Sequence, residues 1–450
     1  MRAFEFHVIA RRVGLSNWEG RVCGERGMRR FILTCVVLTV LWTVLVGIGA
    51  RNGWLRPDAS RSGDAADFIT SASAKFAQGS KGNIAIVLIE QGEPVQRYFA
   101  SHGKPVDEHT LFQAASMSKW LTAWGVMALA EEGRIDLDAP VSRYLTRWRL
   151  PPSAYDNEAV TVRRLLAHTS GLTDGLGFLG FAPGEDVPSL VQELTQTTDA
   201  MPSADGVVRV GAEPGSEWRY SGGGYLILQL LIEDVTQDDF NTYMKAAVLE
   251  PLGMLSSTFV DPDAAQLADI FAADGTEATH YTFAATGAAS LYTSAADLTV
   301  FLQAQVPGPQ DAPAGRGVLT ADTLQEMSTP HAHLFNQPVW GLGVSLYVPN
   351  GKGGYVFGHD GQNFPAINTT ARIDPATGNG IIVLTTGSST LAREIGGDWT
   401  FWQTGKVGLD TLILFDAPYI LMVFALGVIA IVFLIVVASL LKRRRMRRAG

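Results

Sequence analysis

Phe112-Gln113-Ala114-Ala115-Ser116-Met117-Ser118-Lys119 opens a segment that runs on to Glu132 with apolar residues on nearly every side: Trp120, Leu121, Trp124, Val126, Met127 and Leu129. A helix that is apolar all round belongs at the centre of a domain. The three-residue spacing puts the Ser116 hydroxyl and the Lys119 amine on one helical face, within reach of each other. A serine at a helix N-terminus feels the positive end of the macrodipole, which favours an alkoxide. A lysine stripped of water loses proton affinity and becomes a base. The pair therefore has the makings of an activated nucleophile. Ser101-His102-Gly103-Lys104 has the same spacing but sits in a glycine-containing turn after a strand, so the pattern takes its meaning from its setting.

Working outward, Ala65, Phe68, Ile69, Ala72 and Phe76 recur at helical spacing over 64–78. Strands are expected at 83–90 and 95–100 around the turn Gln91-Gly92-Glu93-Pro94. Residues 135 to about 335 mix helical patterns (160–167, 225–235, 240–248, 295–305) with Gly- and Pro-rich loops. Strand-like runs return at 341–348, 354–358, 366–373 and 380–386, and a last helix is expected over 391–403. This order implies an α/β (α+β) fold, one antiparallel sheet flanked by helices with a mostly helical lobe inserted.

The segment 112–119 resembles the serine β-lactamase and penicillin-binding-protein-like hydrolases, in their class C-like branch, and the resemblance continues in order along the chain. Gly133-Arg134-Ile135-Asp136-Leu137-Asp138-Ala139-Pro140-Val141 is similar to the segment after the nucleophile helix, and Leu165-Leu166-Ala167-His168-Thr169-Ser170-Gly171-Leu172 to a structural loop of the lobe. Glu213-Pro214-Gly215 through Tyr220-Ser221-Gly222-Gly223-Gly224-Tyr225 resembles the second motif, Pro251-Leu252-Gly253-Met254 a lobe turn, and His359-Asp360-Gly361 the third motif. The matches cover roughly 64–405 and imply a β-lactamase/transpeptidase-like fold.

The resemblance also implies roles. Ser116 is the residue to be acylated, with Lys119 taking its proton. Tyr220, as phenol or phenolate, shuttles a proton to the leaving group and helps activate water. His359 stands where the K-T-G motif has lysine and contributes electrostatics near a substrate carboxylate or carbonyl. The oxyanion hole falls to the backbone N–H groups of Ser116 and of Gln362, which follows Gly361. Gly222 occupies the position where the second motif usually carries asparagine, which weakens the case for an efficient β-lactamase. The E-x-x-L-N segment of the class A enzymes is not found either. Two readings follow: a serine hydrolase acting through an acyl-enzyme on D-Ala-D-Ala-type peptides, β-lactams or small esters, or a catalytically weak sensor or scaffold on the same fold.

Other chemistries fit less well. No G-x-S-x-G elbow occurs, which argues against an α/β-hydrolase. His331-Ala332-His333 has metal-like spacing without an acidic or third histidine partner at motif distance and reads as a solvated loop; Gly351-Lys352-Gly353-Gly354 lacks the P-loop pattern and reads as a hairpin turn. No metal and no cofactor is called for.

The formal charge of the 450 residues is -9, but residues 1–30 carry +4, residues 442–450 carry +6 and the remainder -19. Each basic block abuts an uncharged apolar run, 31–50 and 419–441, long enough to span a bilayer. The expected order is a basic tail (1–30), a membrane helix (31–50), a linker (51–63), the hydrolase domain (64–405), a linker (406–418), a second membrane helix (419–441) and a basic tail (442–450). The positive-inside rule puts both ends in the cytoplasm and the domain outside the membrane. Cleavage near Gly49 and a start at Met28 are alternatives for the first run. Cys23 and Cys35 both lie outside the exported domain, which excludes disulfides, a thiolate nucleophile and cysteine-ligated zinc there. Its acidity argues against nucleic acid as a partner. Small peptides, β-lactams or esters remain as substrates, with the membrane as the anchor.

Overall fold

The computed structural model describes residues 25–56, 63–175, 177–201 and 205–448. The tail 1–24 with Cys23, and linker residues 57–62, lie outside these. The chain divides into two compact units, residues 1–58 with 412–450, and residues 59–411.

In the first unit, α1 (Glu25–Arg51) accompanies a helix at the other end of the chain, Ala417–Arg448, and the Trp42 indole N–H donates to the Phe424 carbonyl at 3.1 Å. Both helices expose most of their apolar side chains. The stretches Arg30–Arg51 and Leu409–Leu441 are long and apolar enough to cross a membrane.

The second unit is built on an eight-stranded, wholly antiparallel sheet. α2 (Ala65–Gly79) starts at a capping box in which Asp64 and Asp67 bond each other's backbone N–H. β1 (Ile84–Glu90) and β2 (Glu93–Ala100) form the expected hairpin, with its turn confined to Gln91-Gly92, so the second strand begins two residues before the expected Val95. The central helix α3 (Ser118–Glu131), α4 (Gly222–Thr236) and α5 (Ala295–Gln303) follow. Then come β3 (Ala332–Leu334), β4 (Gln337–Trp340), β5 (Ser345–Pro349), β6 (Tyr355–Asn363), β7 (Ile367–Asp374), β8 (Asn379–Thr386) and the closing helix α6 (Leu391–Thr404). The strand order is β2-β1-β8-β7-β6-β5-β4-β3.

Alternation explains the layers. Ile84, Ile86 and Leu88 of β1, with Ile381 and Val383 of β8, pack against Phe76 of α2 and Ile395 and Trp399 of α6. Ala85, Val87 and Ile89, with Ile382 and Leu384, face the other way, onto the larger core of Trp120, Trp124 and Phe301. The Trp120 ring meets Phe301 edge-on at 4.8 Å and Phe357 of β6 at 5.9 Å. A strand covered on both faces reads as a continuous apolar run, which is what 84–89 shows.

Three local readings need correction. His331-Ala332-His333 is not a solvated loop: Ala332 and His333 pair with β4 at the sheet edge. The strand expected to end at Gly358 continues to Asn363, so the third motif lies inside β6. The helix expected from Tyr225 begins three residues earlier, through consecutive glycines, because Ser221 caps it by accepting from the Gly224 N–H at 2.8 Å. A side-chain cap at the N-terminus outweighs glycine's poor helix propensity there.

β6 and β7 also enclose a charge. Arg372 is fully buried, its guanidinium 3.6 Å from the centre of the Tyr347 ring, and it donates to Asp360, Asp410, Thr370 and Thr400 at 3.1–3.3 Å. Burial alone would raise the Asp360 carboxyl, but Arg372 and Arg393 outweigh it and hold it below the usual carboxylate range. Removing one member of such a cluster strands the others without water. Arg372→Ala is therefore expected to destabilise the domain by about 3–5 kcal/mol. Arg209→Ala, at a surface pair with Asp205, is expected to change stability by less than about 1 kcal/mol. Urea unfolding of the full chain in detergent, followed by tryptophan fluorescence, checks both.

Candidate active site

The nucleophile segment is held from three sides. Ala115 has a left-handed backbone, φ 52°, and leads into a tight turn, Ala115–Met117, before α3 begins. That conformation costs a side-chain-bearing residue about 1–2 kcal/mol. Neighbouring bonds hold it: the Ala114 N–H donates to Leu291 O (2.7 Å), Thr369 of β7 donates to Ala114 O (2.9 Å), and Ser118 donates to Ala115 O (2.6 Å). Ser118, the second serine of the segment, also accepts the Leu291 N–H at 2.9 Å and is fully buried, so it braces the turn. Ser116 remains half-buried, with its hydroxyl at the N-terminal end of α3.

Lys119 is 2% exposed, and its Nζ donates to Ser116 Oγ at 3.3 Å and to Ala288 O at 2.9 Å. The Ala288 carbonyl comes from a short helix, Thr286–Ala289, anchored by Thr122 of α3 and Gln229 of α4. Burial, opposed only in part by the Asp174 carboxylate, lowers the lysine to about 7. The residue at the family's asparagine position, Gly222, is buried in the first turn of α4.

Tyr220 lies just before that helix. Its phenol lies beside Ser116, and its ring centre is 5.2 Å from Lys119 Nζ. Burial pushes the phenol well up, which leaves it protonated at neutral pH. His359, on β6, is also buried and is lowered to about 4 by desolvation and then by Lys119. Its ring is neutral near pH 7. Nδ1 donates to the Asp360 carbonyl at 2.6 Å, so Nε2 is left as an acceptor with no protein partner.

β6 lies against the nucleophile turn because residue 361 is glycine. A Cβ there would sit 2.2 Å from Ala114 O and 2.3 Å from Thr369 Oγ1. The close approach sets Gln362, the next residue, beside the turn that carries Ser116.

The structure thus brings Ser116, Lys119, Tyr220, His359, Gly361 and Gln362 to one place. Three contributors were not singled out from the sequence. Ala288 contributes a carbonyl, for which a side chain gives no signal. Asp174 accepts from Ser221 Oγ (2.7 Å) and the Gly223 N–H (3.0 Å), fixing the start of α4. Trp340 packs on both His168 and His359, with ring centres 4.8 and 5.4 Å away. The decoy Ser101 bonds Asn83 and Lys104 O and stays a turn residue.

A family profile described as Beta-lactamase matches residues 70–400. Among curated relatives, Esterase EstB of Burkholderia gladioli is 32% identical over 218 residues, 44% of this chain and 54% of the esterase. Penicillin-binding protein 4* of Bacillus subtilis is 30% identical over 151 residues, 34% of this chain and 31% of that protein. The chain thus spans about half the length of the esterase and under a third of the other. Among solved structures, a D-amino acid amidase from Ochrobactrum anthropi superimposes with a TM-score of 0.59 at 22% identity, over 75% of this chain and 98% of that one. Because the profile takes in the nucleophile turn, the Tyr220 loop and β6 together, the chain belongs to the β-lactamase family.

Proposed function

We propose that the chain is a membrane-anchored serine hydrolase that acylates Ser116 with an ester or small amide and then hydrolyses the acyl-enzyme. The observation that carries this reading is the Lys119 amine, buried, lowered to about 7 and 3.3 Å from a half-exposed serine hydroxyl. A lysine in that state is a base matched to neutral pH. As Ser116 Oγ bonds to the substrate carbonyl carbon, its proton passes to Lys119. The oxyanion is received by the N–H groups of Ser116 and Gln362. The protonated Tyr220 phenol donates to the leaving oxygen or nitrogen as that bond breaks and recovers a proton from Lys119. Water reverses the sequence: it attacks the acyl carbon, gives up its proton to the relay and frees Ser116.

Two features favour neutral esters over β-lactams within the family's range. His359 offers a lone pair, not a cation, so it recognises an N–H or O–H better than a carboxylate. Gly222 supplies no side-chain amide, and the second Lys119 bond goes to a backbone carbonyl instead. The similarity to an esterase is in keeping with both. The same Gly222 favours the alternative of a slow or non-turning-over receptor that retains its acyl group.

The basic blocks outside both apolar stretches support a topology with both ends in the cytoplasm and residues 64–405 outside the membrane. D-Ala-D-Ala-type peptides, β-lactams and esters at the cell envelope are then the accessible substrates.

Intact-mass spectrometry with a fluorophosphonate is expected to give one adduct on the wild type and none on Ser116→Ala. An adduct that persists in that variant overturns the assignment. Steady turnover of p-nitrophenyl acetate that disappears in Ser116→Ala supports the hydrolase, whereas a stable acyl adduct without turnover supports the receptor. The labelling rate is expected to follow neutral Lys119, level above pH 7 and dropping roughly tenfold per unit below it, because only the deprotonated amine accepts the serine proton. Lys119→Met is expected to abolish this limb and slow labelling by about 10²- to 10⁴-fold.

A further inference from the structure

We propose that His168 is a positioning residue for Tyr220, clamping the backbone on both sides of that tyrosine and packing against its ring. This rests on Tyr220 acting in the hydrolase proposed above. The His168 carbonyl accepts the Arg219 N–H at 2.8 Å, and His168 Nδ1 accepts the Ser221 N–H at 3.2 Å. One residue therefore satisfies the donors immediately before and after Tyr220. The imidazole lies 4.4 Å from the Tyr220 ring centre, and Trp340 and Tyr225 close its other sides at 4.8 and 5.3 Å.

The position is itself fixed. His168 is 1% exposed and has φ 56°, a left-handed backbone uncommon for a side-chain-bearing residue outside turns. The carbonyl of Leu166, two residues earlier, accepts from the Trp340 indole (3.1 Å) and the Gly343 N–H (3.1 Å), which fasten the loop to the β4 end of the sheet. Desolvation, reinforced by Lys119 and His359, keeps the ring neutral. Because Nδ1 accepts, the proton of that neutral ring is on Nε2, and the tautomer is set by the Ser221 bond. A chain segment with no secondary structure of its own, Glu217 to Ser221, thereby presents its phenol to Ser116 in a defined place. Holding reacting groups in place is worth large factors, and a shift of about 1 Å costs roughly 10²-fold.

Two substitutions suit the left-handed backbone at this position. His168→Gly removes both acceptor and ring. His168→Asn keeps an acceptor where Nδ1 was. Single-turnover acylation of the full chain in detergent by an alkyl ester, whose leaving alkoxide must be protonated, is compared with that by p-nitrophenyl acetate, whose phenolate leaves unaided. His168→Gly is expected to lower the alkyl ester rate by about 10- to 100-fold with KM within about twofold, and the p-nitrophenyl rate by less than about threefold. His168→Asn is expected to recover most of the loss. In a Tyr220→Phe background, His168→Gly is expected to add less than about twofold, because both changes remove one function. Equal losses on both esters, or the full loss added to Tyr220→Phe, overturn the assignment. If His168→Gly does not fold, as shown by failure to label with fluorophosphonate, His168→Asn, which lacks the ring packed on Tyr220, decides alone: a residual loss of about two- to threefold confined to the alkyl ester supports the clamp, and no loss, or an equal loss on both esters, overturns it. A wild type that does not label at Ser116 removes the hydrolase reading and this inference with it; a wild type that labels while the leaving group makes no difference removes only the role of His168.

Discussion

An amine held out of water beneath a serine hydroxyl is the constraint around which the domain is arranged. Burying an unpaired ammonium costs several kcal/mol, and the group escapes by losing its proton. Lys119 has two bonds, to Ser116 and to the Ala288 carbonyl, that direct the amine, and the rings of Tyr220 and Tyr225, 5.2 and 5.6 Å from Nζ, keep water from restoring its affinity. The apolar helix α3 is therefore more than a core element. A partly exposed helix would leave the same lysine an ordinary surface cation, as Lys104 of the decoy Ser101-His102-Gly103-Lys104 is, 58% exposed and paired with Asp269.

The other groups of the site are neutral for the same reason. Tyr220 stays protonated because burial disfavours the phenolate, and His168 and His359 stay neutral because burial, reinforced by Lys119, disfavours the imidazolium. In the mechanism proposed above, one titrating group near pH 7 among neutral neighbours would make a directed relay: the proton from Ser116 would have a single acceptor, and the phenol could donate without competing for it. The position where the K-T-G motif carries lysine is here occupied by a neutral ring with a free acceptor nitrogen, and in the proposed mechanism that bears on which substrates bind more than on the chemistry at Ser116.

How far the sequence revealed this depended on whether side chains or backbone did the work. The apolar character of 84–89 and 120–129, the ordered motifs and the glycine at 361 all leave marks on residue type, and the sheet, the central helix and the four-residue constellation could be read from them. The start of α4 could not, since three glycines look like a loop until Ser221 and Asp174 are seen to cap it. The edge strands at 332–334 and 337–340 are three and four residues long, too short to show the alternation that marks a strand. His168 sat inside a quoted motif, yet its part depends on a backbone dihedral and two N–H groups, and neither is written in residue identity.

Register ties these levels together. β6 carries His359 and Gly361 toward the nucleophile turn and Asp360 toward the opposite face, where Arg372 of β7 is fully buried. A slip of one residue along β6 would exchange the two faces, putting a carboxylate against Ala114 O and a histidine against the guanidinium. Buried ion pairs are poor sources of net stability, since the desolvation of both partners offsets their attraction. They discriminate strongly between arrangements, because a mispaired charge has no compensation at all. The cluster of Asp360, Arg372 and Asp410 fits that logic: it disfavours the one-residue slip that would take Gly361 away from the turn of Ser116.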